Sequence, residues 1–367
     1  MEYVKTKLDK TAKLKEYLTK YQIDGVLLHS TVNRFWFSEF ASLEGYLLFT
    51  KNESILYLDG RYITAGKIQA KNVTNVVKIT TNNAGGFWGM LQNDLTKNNV
   101  KVLAFESDHL TYLTYQSLKT SLSSEITLKP VDFSELRAIK TNAEIIALQK
   151  ACAIGDLAIN NVIKKIKIGI TERAIEQIII NTFIEAGADK PSFDTIVASG
   201  WRGSLPHGRA TDKKIENNEL ITIDFGCIYD GYCSDTTRTI GLGKPPAKML
   251  EIFDVVYQAQ KQGIEAIKPG VTTSSIDKIC RDYIISKGYG KYFTHSTGHG
   301  VGIKIHEFPR VSPFCDVLLE PGMIITVEPR NLHSLFMRCS NRRWYSSNWK
   351  WLSSLNRSKT GVNFNLS

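Results

Sequence analysis

Residues 220–239 read LITIDFGCIYDGYCSDTTRT, and this stretch predicts two strands that carry Asp224 and Asp235. Asp230-Gly231 is a two-residue turn of the kind that joins antiparallel strands, because its positive φ angles suit their twist. Such a turn sets the pairs Tyr229 with Tyr232, Gly226 with Asp235, and Asp224 with Thr237. Because side chains alternate between the two faces of a strand, Asp224 and Asp235 share a face as diagonal neighbours, roughly 7–8 Å apart at the backbone.

Two carboxylates held this close in a half-buried sheet repel each other unless a cation lies between them. The apolar run of residues 220–225 around Asp224 favours burial, and a buried carboxylate without a partner is costly. The hairpin therefore predicts a metal site. The alternative is a solvated hairpin that carries incidental acids.

Three histidines extend this acidic pair. His295, His299 and His306 lie in THSTGHGVGIKIHEFP (294–309), where the glycines let the backbone come close to a bound group. A single histidine is usually a satisfied core or surface residue. In this segment His299 is the best candidate for a ligand.

A further acid, Glu328, ends the apolar strand of residues 323–327. One imidazole with several carboxylates is a hard, oxygen-rich donor set, which suits Mn, Co, Fe or Zn in a hydrolytic two-metal centre better than a structural zinc. The six cysteines contain no CxxC pair, so a cysteine-based site is not indicated and most of the thiols are expected to be at least partly buried.

Several segments carry a resemblance to a known family. They are LRAIKTNAEIIALQKACAIGDLAI (136–159), GITERAIEQI (169–178), PSFDTIVASGWRGSLPHGRATDKKI (191–215), the hairpin, GHGVGIKIHE (298–307) and PGMIITVEP (321–329). In this order and spacing the chain resembles the pita-bread metallopeptidases, and within them the Xaa-Pro dipeptidases and aminopeptidases P. The resemblance covers nearly the whole chain up to Glu328.

The resemblance implies a function and a ligand set. Four ligands are implied for two divalent metal ions: Asp224, Asp235, His299 and Glu328. Mn is the expected metal, with Co, Zn or Fe as alternatives, and a further glutamate is expected to complete the set. Three histidines are implied to support the ligands or contact the substrate: His207, His295 and His306. The implied reaction removes the N-terminal residue from small peptides with proline in second position, and the implied assembly is a homodimer.

The chemistry of such a centre accounts for these roles. Two cations about 3.5–4 Å apart lower the pKa of a shared water and polarise the scissile carbonyl. Glu328 would carry the proton of that water towards the leaving amine, while His306 and His207 would donate to the developing oxyanion or orient the peptide. A prolyl nitrogen has no N–H and its ring restricts the preceding bond, so these peptides need a dedicated site.

At 367 residues the chain is long enough for two domains. Residues 1–133 alternate helices and strands, with a hairpin over residues 45–60, which predicts an α/β domain similar to the creatinase/prolidase N-terminal domain. Trp36 and Phe37 are expected to pack in its core, with a place at the active-site entrance as the alternative. Residues 134–329 are expected to form an α+β pita-bread catalytic domain.

The catalytic domain is predicted to contain four long helices, at about residues 142–166, 172–186, 246–268 and 274–287. Thr141 and Glu144 have the spacing of a capping box at the start of the first of them. Gly187 and Gly270 follow helical runs and are expected to stop them.

The net charge of +10 comes mostly from residues 330–367. Seven of the 46 Lys and Arg residues lie there, without any Asp or Glu, which leaves 39 basic against 36 acidic residues elsewhere. A basic, tryptophan-rich tail could bind single-stranded nucleic acid, but the rest of the chain is nearly neutral and no nucleic-acid partner is expected. No apolar run approaches the ~20 residues of a membrane span, and no signal-peptide core is present. A cytoplasmic protein without membrane contact is expected.

The tail is better explained as a change of reading frame. Family members continue after Glu-Pro with a sequence like GIYIPGxGGVRIEDD. Residues 330–344 can be encoded by codons that, when read in the frame that starts one base later, spell GIYIPCLCGVRIED. The first base of the Tyr345 codon then allows glycine as the next residue. Residues 330–367 are therefore expected to be an aberrant basic tail, out of frame to about residue 352.

The frame change would displace one ligand. The expected glutamate falls at position 342, where this chain has Arg342, and the arginine of the same motif falls at position 340, where it has Ser340. Loss of a bridging carboxylate would weaken the binding of a second metal, and disruption of the last strands is expected because they lose their apolar alternation. Two classes remain: a Xaa-Pro peptidase, and a catalytically impaired product or a pita-bread module kept for binding.

Overall fold

The computed structural model describes residues 9–80, 85–205 and 207–329, together with the backbone of residues 343–346 and 364–365. The chain divides into two units, Met1–Leu136 and Arg137–Ser367. Within the described ranges, none of the helices combines the length and the apolar character that a membrane span requires.

The first unit contains a six-stranded sheet with helices between its strands. The strands are β1 (Gly25–Leu28), β2 (Tyr46–Thr50), β3 (Ser54–Leu58), β4 (Asn75–Lys78), β5 (Val102–Glu106) and β6 (Thr127–Val131). The helices are α1 (Lys10–Tyr21), α2 (Thr31–Ser38), α3 (Ile63–Gln69), α4 (Gly86–Lys97) and α5 (Tyr112–Ser121). The order in the sheet is β4-β3-β2-β1-β5-β6, antiparallel at β1–β2 and β2–β3 and parallel at the other pairs.

This order confirms the predicted alternation and the hairpin over residues 45–60. Helix α2 is absent from the predicted elements, because its aromatic side chains have only modest helix propensity. Ser30 caps this helix, and its hydroxyl accepts a hydrogen bond from the Asn33 backbone N–H at 3.0 Å. Trp36 and Phe37 lie on α2 and are buried, as expected for core residues.

The second unit contains four long helices and three sheets among its described residues. The helices are α6 (Asn142–Lys165), α7 (Glu172–Glu185), α8 (Ala247–Glu265) and α9 (Thr273–Ser286). The strands are β7 (Lys190–Pro191), β8 (Ile196–Ser199), β9 (Leu220–Phe225), β10 (Cys227–Tyr229), β11 (Tyr232–Cys233), β12 (Thr236–Leu242), β13 (Gly298–Gly300), β14 (Glu307–Val311), β15 (Ile324–Val327), β16 (Arg343–Ser346) and β17 (Phe364–Asn365). The sheet orders are β11-β10-β7, β17-β12-β9-β8 and β14-β13-β15-β16.

The four predicted helices are confirmed, with boundaries that differ from the prediction by at most three residues. The capping box is present: the Glu144 N–H donates to Thr141 Oγ1 at 3.3 Å, and the Thr141 N–H donates to Glu144 Oε2 at 2.6 Å. Gly187 and Gly270, after α7 and α8, have φ angles of 79° and 83°. Gly187 directly follows the C-cap residue of α7 and ends that helix as predicted. Gly270 does not stop α8, because that helix ends at Glu265, five residues before it.

Two apolar cores hold the strands that carry the acidic and histidine residues. In one, buried side chains of α6 and α7 pack against β8, β9 and β12. In the other, α8 and α9 pack against β14 and β15. Asp224 lies within β9 and Glu328 directly follows β15, so each acid is held by a strand whose neighbours are buried.

Two short strands lie in the segment that is expected to be aberrant. The backbone of β16 pairs antiparallel with β15, with Arg343 opposite Val327, and β17 pairs in parallel with β12. The predictions for Ser340 and Arg342 fall outside the described residues. Disruption of the last strands therefore stays a prediction.

Candidate metal centre

The hairpin that connects β9 to β12 has the predicted turn and register. Asp230 and Gly231 have φ angles of 50° and 77°. The pairs on the two sides of the hairpin include Tyr229 with Tyr232 and Asp224 with Thr237. This is the register that the sequence predicted, and it continues to Thr236 opposite Phe225.

The ladder is interrupted where Asp235 was expected to pair with Gly226. The Ser234 hydroxyl accepts from the Cys227 N–H at 2.9 Å, and the Ser234 N–H donates to the Cys227 carbonyl at 2.7 Å. As a result β10 and β11 belong to one sheet, and β9 and β12 to another. A Cβ atom at Gly226 would lie 1.9 Å from the Ser234 carbonyl oxygen, so only glycine allows this close approach beside Asp235.

Both aspartates of the hairpin are buried. Asp224 is 1% exposed and Asp235 is 0% exposed, which contradicts the alternative of a solvated hairpin with incidental acids. The Thr237 hydroxyl donates to Asp224 Oδ1 at 2.8 Å. Burial of two carboxylates on one hairpin favours a compensating positive charge between them.

His299 lies on β13 between two glycines that let neighbouring strands approach. A Cβ atom at Gly298 would lie 1.9 Å from the Thr326 carbonyl oxygen, and one at Gly300 would lie 2.3 Å from that of Phe308. His299 Nδ1 is 2.9 Å from the Gly300 carbonyl oxygen. When Nδ1 is protonated and donates to this carbonyl, Nε2 presents a lone pair, which is the form of imidazole that binds a metal.

Glu328 is 5% exposed and faces His299. Its Oε1 lies 2.9 Å from His299 Nε2 and accepts from the Thr326 hydroxyl at 3.0 Å. The same hydroxyl oxygen accepts from the His299 backbone N–H at 3.1 Å, and the Glu328 N–H donates to the Thr297 carbonyl at 2.7 Å. One buried hydroxyl thus connects the backbone of His299 to the carboxylate of Glu328.

Three of the predicted ligands converge. Among the residues that the structure describes, Asp235, His299 and Glu328 offer ligand atoms that all lie within 4.8 Å of one another, and all three residues are buried. His299 Nε2 lies 3.6 Å from Asp235 Oδ2. Asp224 is buried on the neighbouring strand and lies outside this group of three.

The donor set fits a divalent cation. Buried carboxylates around one imidazole repel each other without a positive charge between them, and the removal of each ion from water costs several kcal/mol in addition. Carboxylate oxygen and imidazole nitrogen are the donors preferred by Mn, Co, Fe and Zn in catalytic sites. The group of three contains no cysteine, in agreement with the absence of CxxC pairs.

The three accessory histidines differ in position. The His306 ring is exposed and packs edge-on against the His299 ring, with 4.2 Å between the centroids. His295 is partly buried, with its Nδ1 2.7 Å from the Ser296 carbonyl oxygen. His207 is exposed in the segment after β8. The structure therefore brings His306 to the ligand group, whereas neither His207 nor His295 belongs to that group.

Other residues that hold this geometry are not evident from the sequence. Asp277 on α9 is fully buried and accepts from the Thr297 N–H at 3.1 Å and hydroxyl at 2.7 Å. Arg281 pairs with Asp277 at 2.8 Å and donates to the carbonyl of His295 at 2.9 Å. The acid and the base lie four residues apart on a helix, a spacing that is typical of exposed surface pairs, so their position beneath the ligand strand becomes visible only in the fold.

Thr326→Val should lower the affinity of the chain for a divalent metal by about 10–100-fold, because hydrogen-bond partners of ligands typically contribute that much. The change keeps the shape of the side chain but removes the hydroxyl shared by His299 and Glu328. Titration with Mn²⁺, followed by calorimetry, measures the effect. The matched control is Thr195→Val: Thr195 is also buried, its hydroxyl finds no hydrogen-bond partner among the described residues, and its replacement should leave the affinity unchanged. Equal affinities for all three chains would contradict the role of Thr326.

Comparison with known proteins assigns the chain to a family. Residues 147–358 match the model of metallopeptidase family M24, and residues 10–139 match that of the creatinase/prolidase N-terminal domain. The chain is 39% identical over 324 residues to an Xaa-Pro dipeptidase of Pyrococcus horikoshii. The aligned region covers 88% of this chain and 89% of that protein. It is 40% identical over 322 residues to the peptidase YqhT of Bacillus subtilis, and this alignment covers 87% of the present chain and 90% of YqhT.

A solved structure of a related protein has the same fold. The structure of an Xaa-Pro dipeptidase from Bacillus anthracis superposes with a TM-score of 0.89 at 34% identity, over 97% of this chain and 99% of that chain. Two domain matches, the identity to full-length relatives and the shared fold agree with one another. The chain therefore belongs to metallopeptidase family M24, with a creatinase/prolidase N-terminal domain followed by a pita-bread catalytic domain.

Proposed function

We propose that this protein is a metal-dependent peptidase that removes the N-terminal residue from small peptides with proline in second position. The observation that carries the proposal is the convergence of buried Asp235, His299 and Glu328 in a chain of metallopeptidase family M24. The relatives support the substrate class, because those from Pyrococcus horikoshii and Bacillus anthracis are named Xaa-Pro dipeptidases.

Four residues would hold two divalent ions: Asp224, Asp235, His299 and Glu328. The oxygen-rich set with a single imidazole favours Mn, and Co, Zn or Fe are the alternatives. When bound, such ions polarise the scissile carbonyl and lower the pKa of a water molecule. Asp224 and Asp235 would contribute negative charge from the hairpin, and His299 would contribute the lone pair of Nε2.

Glu328 is the residue best suited to move a proton. Its carboxylate is buried, faces His299 and receives a hydrogen bond from Thr326 on Oε1. It can accept a proton from the attacking water and return it to the leaving prolyl nitrogen. A group that performs both transfers has to stay close to the reacting atoms, and the fixed position of Glu328 at the end of β15 meets that requirement.

The three accessory histidines would act on the peptide. The exposed ring of His306, packed against His299, is open to a substrate on one side and can donate to the oxygen that becomes negative during the reaction. His207 and His295 would orient the peptide or support the ligands. A dedicated binding site is needed because a prolyl nitrogen lacks an N–H and its ring restricts the preceding bond.

The domain organisation belongs to the same proposal. Residues 1–133 would form the N-terminal domain, residues 134–329 the catalytic domain and residues 330–367 an aberrant tail. The lack of any acid in that tail favours one second candidate, a chain with an impaired metal centre. A homodimer stays a prediction of the family resemblance, and a cytoplasmic location stays a prediction of the sequence.

Hydrolysis of matched peptides tests the proposal. The Mn²⁺-loaded chain is assayed on an Xaa-Pro dipeptide, an Xaa-Pro-Yaa tripeptide and an Xaa-Ala dipeptide with the same first residue. We expect kcat/KM for the better proline peptide to exceed that for the alanine peptide by about 10–200-fold, the range that a few ring carbons give in a fitted pocket. Equal rates for proline and alanine peptides would overturn the substrate class. Absence of hydrolysis, both by this chain and by a chain with a restored tail, would overturn the activity.

A further inference from the structure

A group of three buried charges lies behind the segment that carries His306. Arg137 Nε is 3.1 Å from Glu307 Oε1, and Lys140 Nζ is 2.9 Å from Glu307 Oε2. The three residues are each 5–6% exposed. We call Arg137, Lys140 and Glu307 the buried ion group.

Glu307 also closes the 301–307 loop, the segment between β13 and the first residue of β14. Its Oε1 accepts from the Lys304 backbone N–H at 3.1 Å, and the Gly302 N–H donates to the Lys304 carbonyl at 3.1 Å. A Cβ atom at Gly302 would lie 2.5 Å from Glu307 Oε2 and 2.9 Å from Lys140 Nζ. The loop backbone is therefore pressed directly against the buried ion group.

The opposite side of the loop is attached to the hairpin that carries Asp235. The Cys233 N–H donates to the Gly302 carbonyl at 2.7 Å, and Cys233 Sγ donates to the Ile303 carbonyl at 3.2 Å. The backbone of Lys140 in turn donates to the Gly322 carbonyl at 3.0 Å, next to the start of β15. The loop is thus fixed between the hairpin and the segment that leads to Glu328.

The position of His306 depends on this loop. Its side chain is exposed, so burial contributes little to holding the ring. The centroid of the ring nevertheless lies 4.2 Å from the centroid of the His299 ring, in an edge-to-face contact. The next residue in the chain is Glu307. The backbone conformation that Glu307 fixes therefore helps to set the direction in which His306 points.

Stability alone is a weak explanation for the buried ion group. Replacing a buried ion pair by apolar residues of similar size is often neutral or stabilising, whereas removing one partner leaves an uncompensated charge. Burial by itself would raise the pKa of Glu307, but Lys140 and Arg137 outweigh that effect and hold the pKa below its ordinary value. The ionised carboxylate of Glu307 thus accepts from three donors, which are Arg137 Nε, Lys140 Nζ and the Lys304 backbone N–H. The position of this carboxylate therefore determines where the loop lies.

We propose that Glu307, held by Arg137 and Lys140, is a positioning residue that fixes the 301–307 loop so that His306 stands against His299 at the metal centre. The proposal rests on the proposed function for the role of His306 towards the peptide. The position of the ring itself does not depend on that function. The two can therefore be tested separately.

The first test measures the position of His306 without using activity. Glu307→Gln keeps the size of the side chain, but its amide N–H₂ faces donors, so the loop loses at least one bond. In the Mn²⁺-loaded protein at pH about 8, where free imidazoles are neutral, the rate of carbethoxylation of His306 is followed by peptide mass spectrometry. His207, which is also exposed, is the internal reference. We expect the ratio of the His306 rate to the His207 rate to rise at least three-fold in the variant; an unchanged ratio would overturn the proposal.

A second variant separates positioning from stability. Glu307→Gln raises the net charge of the buried ion group from +1 to +2, and Glu307→Gln combined with Lys140→Met returns it to +1. The double variant should recover thermal stability, while the ratio of modification rates stays raised. Recovery of the native ratio together with stability would assign the group a purely structural role and overturn the proposal.

Kinetics connects the position to the reaction. In a chain that hydrolyses an Xaa-Pro peptide, Glu307→Gln should lower kcat about 10–100-fold, as supporting residues do, with little change in KM. In a His306→Ala background the same substitution should cause almost no further loss, because residues that act through one another are not additive. An equal loss in both backgrounds would overturn the proposal. If no form of the chain hydrolyses the peptide, the proposed function fails, while the modification ratio still decides the position of His306.

Discussion

A chain in which residues 330–344 are replaced by GIYIPCLCGVRIEDG should bind one more divalent ion than the chain as it stands and should hydrolyse an Xaa-Pro peptide at least about 10²-fold faster. Loss of a residue that merely supports a ligand costs 10–100-fold, and loss of a ligand should cost no less. The replacement introduces a glutamate at position 342, directly before position 343, whose backbone pairs with that of Val327 in the present chain; Val327 is the neighbour of Glu328. Metal content by mass spectrometry and kcat/KM on the peptide measure the result.

The control is the same replacement with glutamine in place of the new glutamate at position 342. Both replaced chains regain the apolar residues of the strand, so they should have similar thermal stability. Only the chain with the glutamate should gain the additional ion. Equal metal content in the two would exclude position 342 as the missing ligand. The nucleotide sequence tests the origin of the tail independently, since the hypothesis requires a change of reading frame between codons 329 and 355.

Much of the fold follows from local sequence rules. The Asp230-Gly231 turn fixed the register of the hairpin, because positive φ angles at both positions leave few other connections. Helices α6–α9 followed from their apolar periodicity and their capping and glycine signals. Helix α2 could not be predicted in this way. Its stability depends on the Ser30 cap and on burial of Trp36 and Phe37, and burial is a property of the tertiary structure.

The candidate site was predictable in its chemistry and less so in its geometry. The two aspartates could be proposed from the hairpin register, His299 from its glycine-rich segment and Glu328 as an acid at the end of an apolar strand, and the family resemblance joined them into one set. The structure groups Asp235, His299 and Glu328 within 4.8 Å. Thr326 and Glu307 escaped prediction for a physical reason. A threonine in an apolar strand and an acid beside a histidine have many ordinary explanations, and their partners, at His299 and at Arg137 and Lys140, are distant in sequence.

Glu328→Gln should lower kcat about 10²–10⁴-fold, the usual contribution of a residue that transfers protons in the transition state. The amide is almost the same size as the carboxylate, and its oxygen can still accept from the Thr326 hydroxyl, so the strand end should keep its position. It cannot take up the proton of the attacking water, and it offers a metal a neutral oxygen in place of a negative one. We therefore expect the affinity for Mn²⁺ to fall as well, and calorimetric titration together with kcat on an Xaa-Pro peptide measures both effects.

The matched control is Glu320→Gln, which removes the same charge from an exposed residue shortly before the same strand. Exposed charges of this kind contribute little to stability, so this variant should bind metal and hydrolyse peptide like the parent chain. The rate of hydrolysis is measured in whichever chain hydrolyses the peptide, the present one or the one with residues 330–344 replaced. The metal titration is made with both chains. If Glu328→Gln kept the Mn²⁺ affinity but lost activity, Glu328 would act in proton transfer without binding metal. If it kept both, the convergence of Asp235, His299 and Glu328 would have to be explained by structure alone, and the proposed function would lose the observation that carries it.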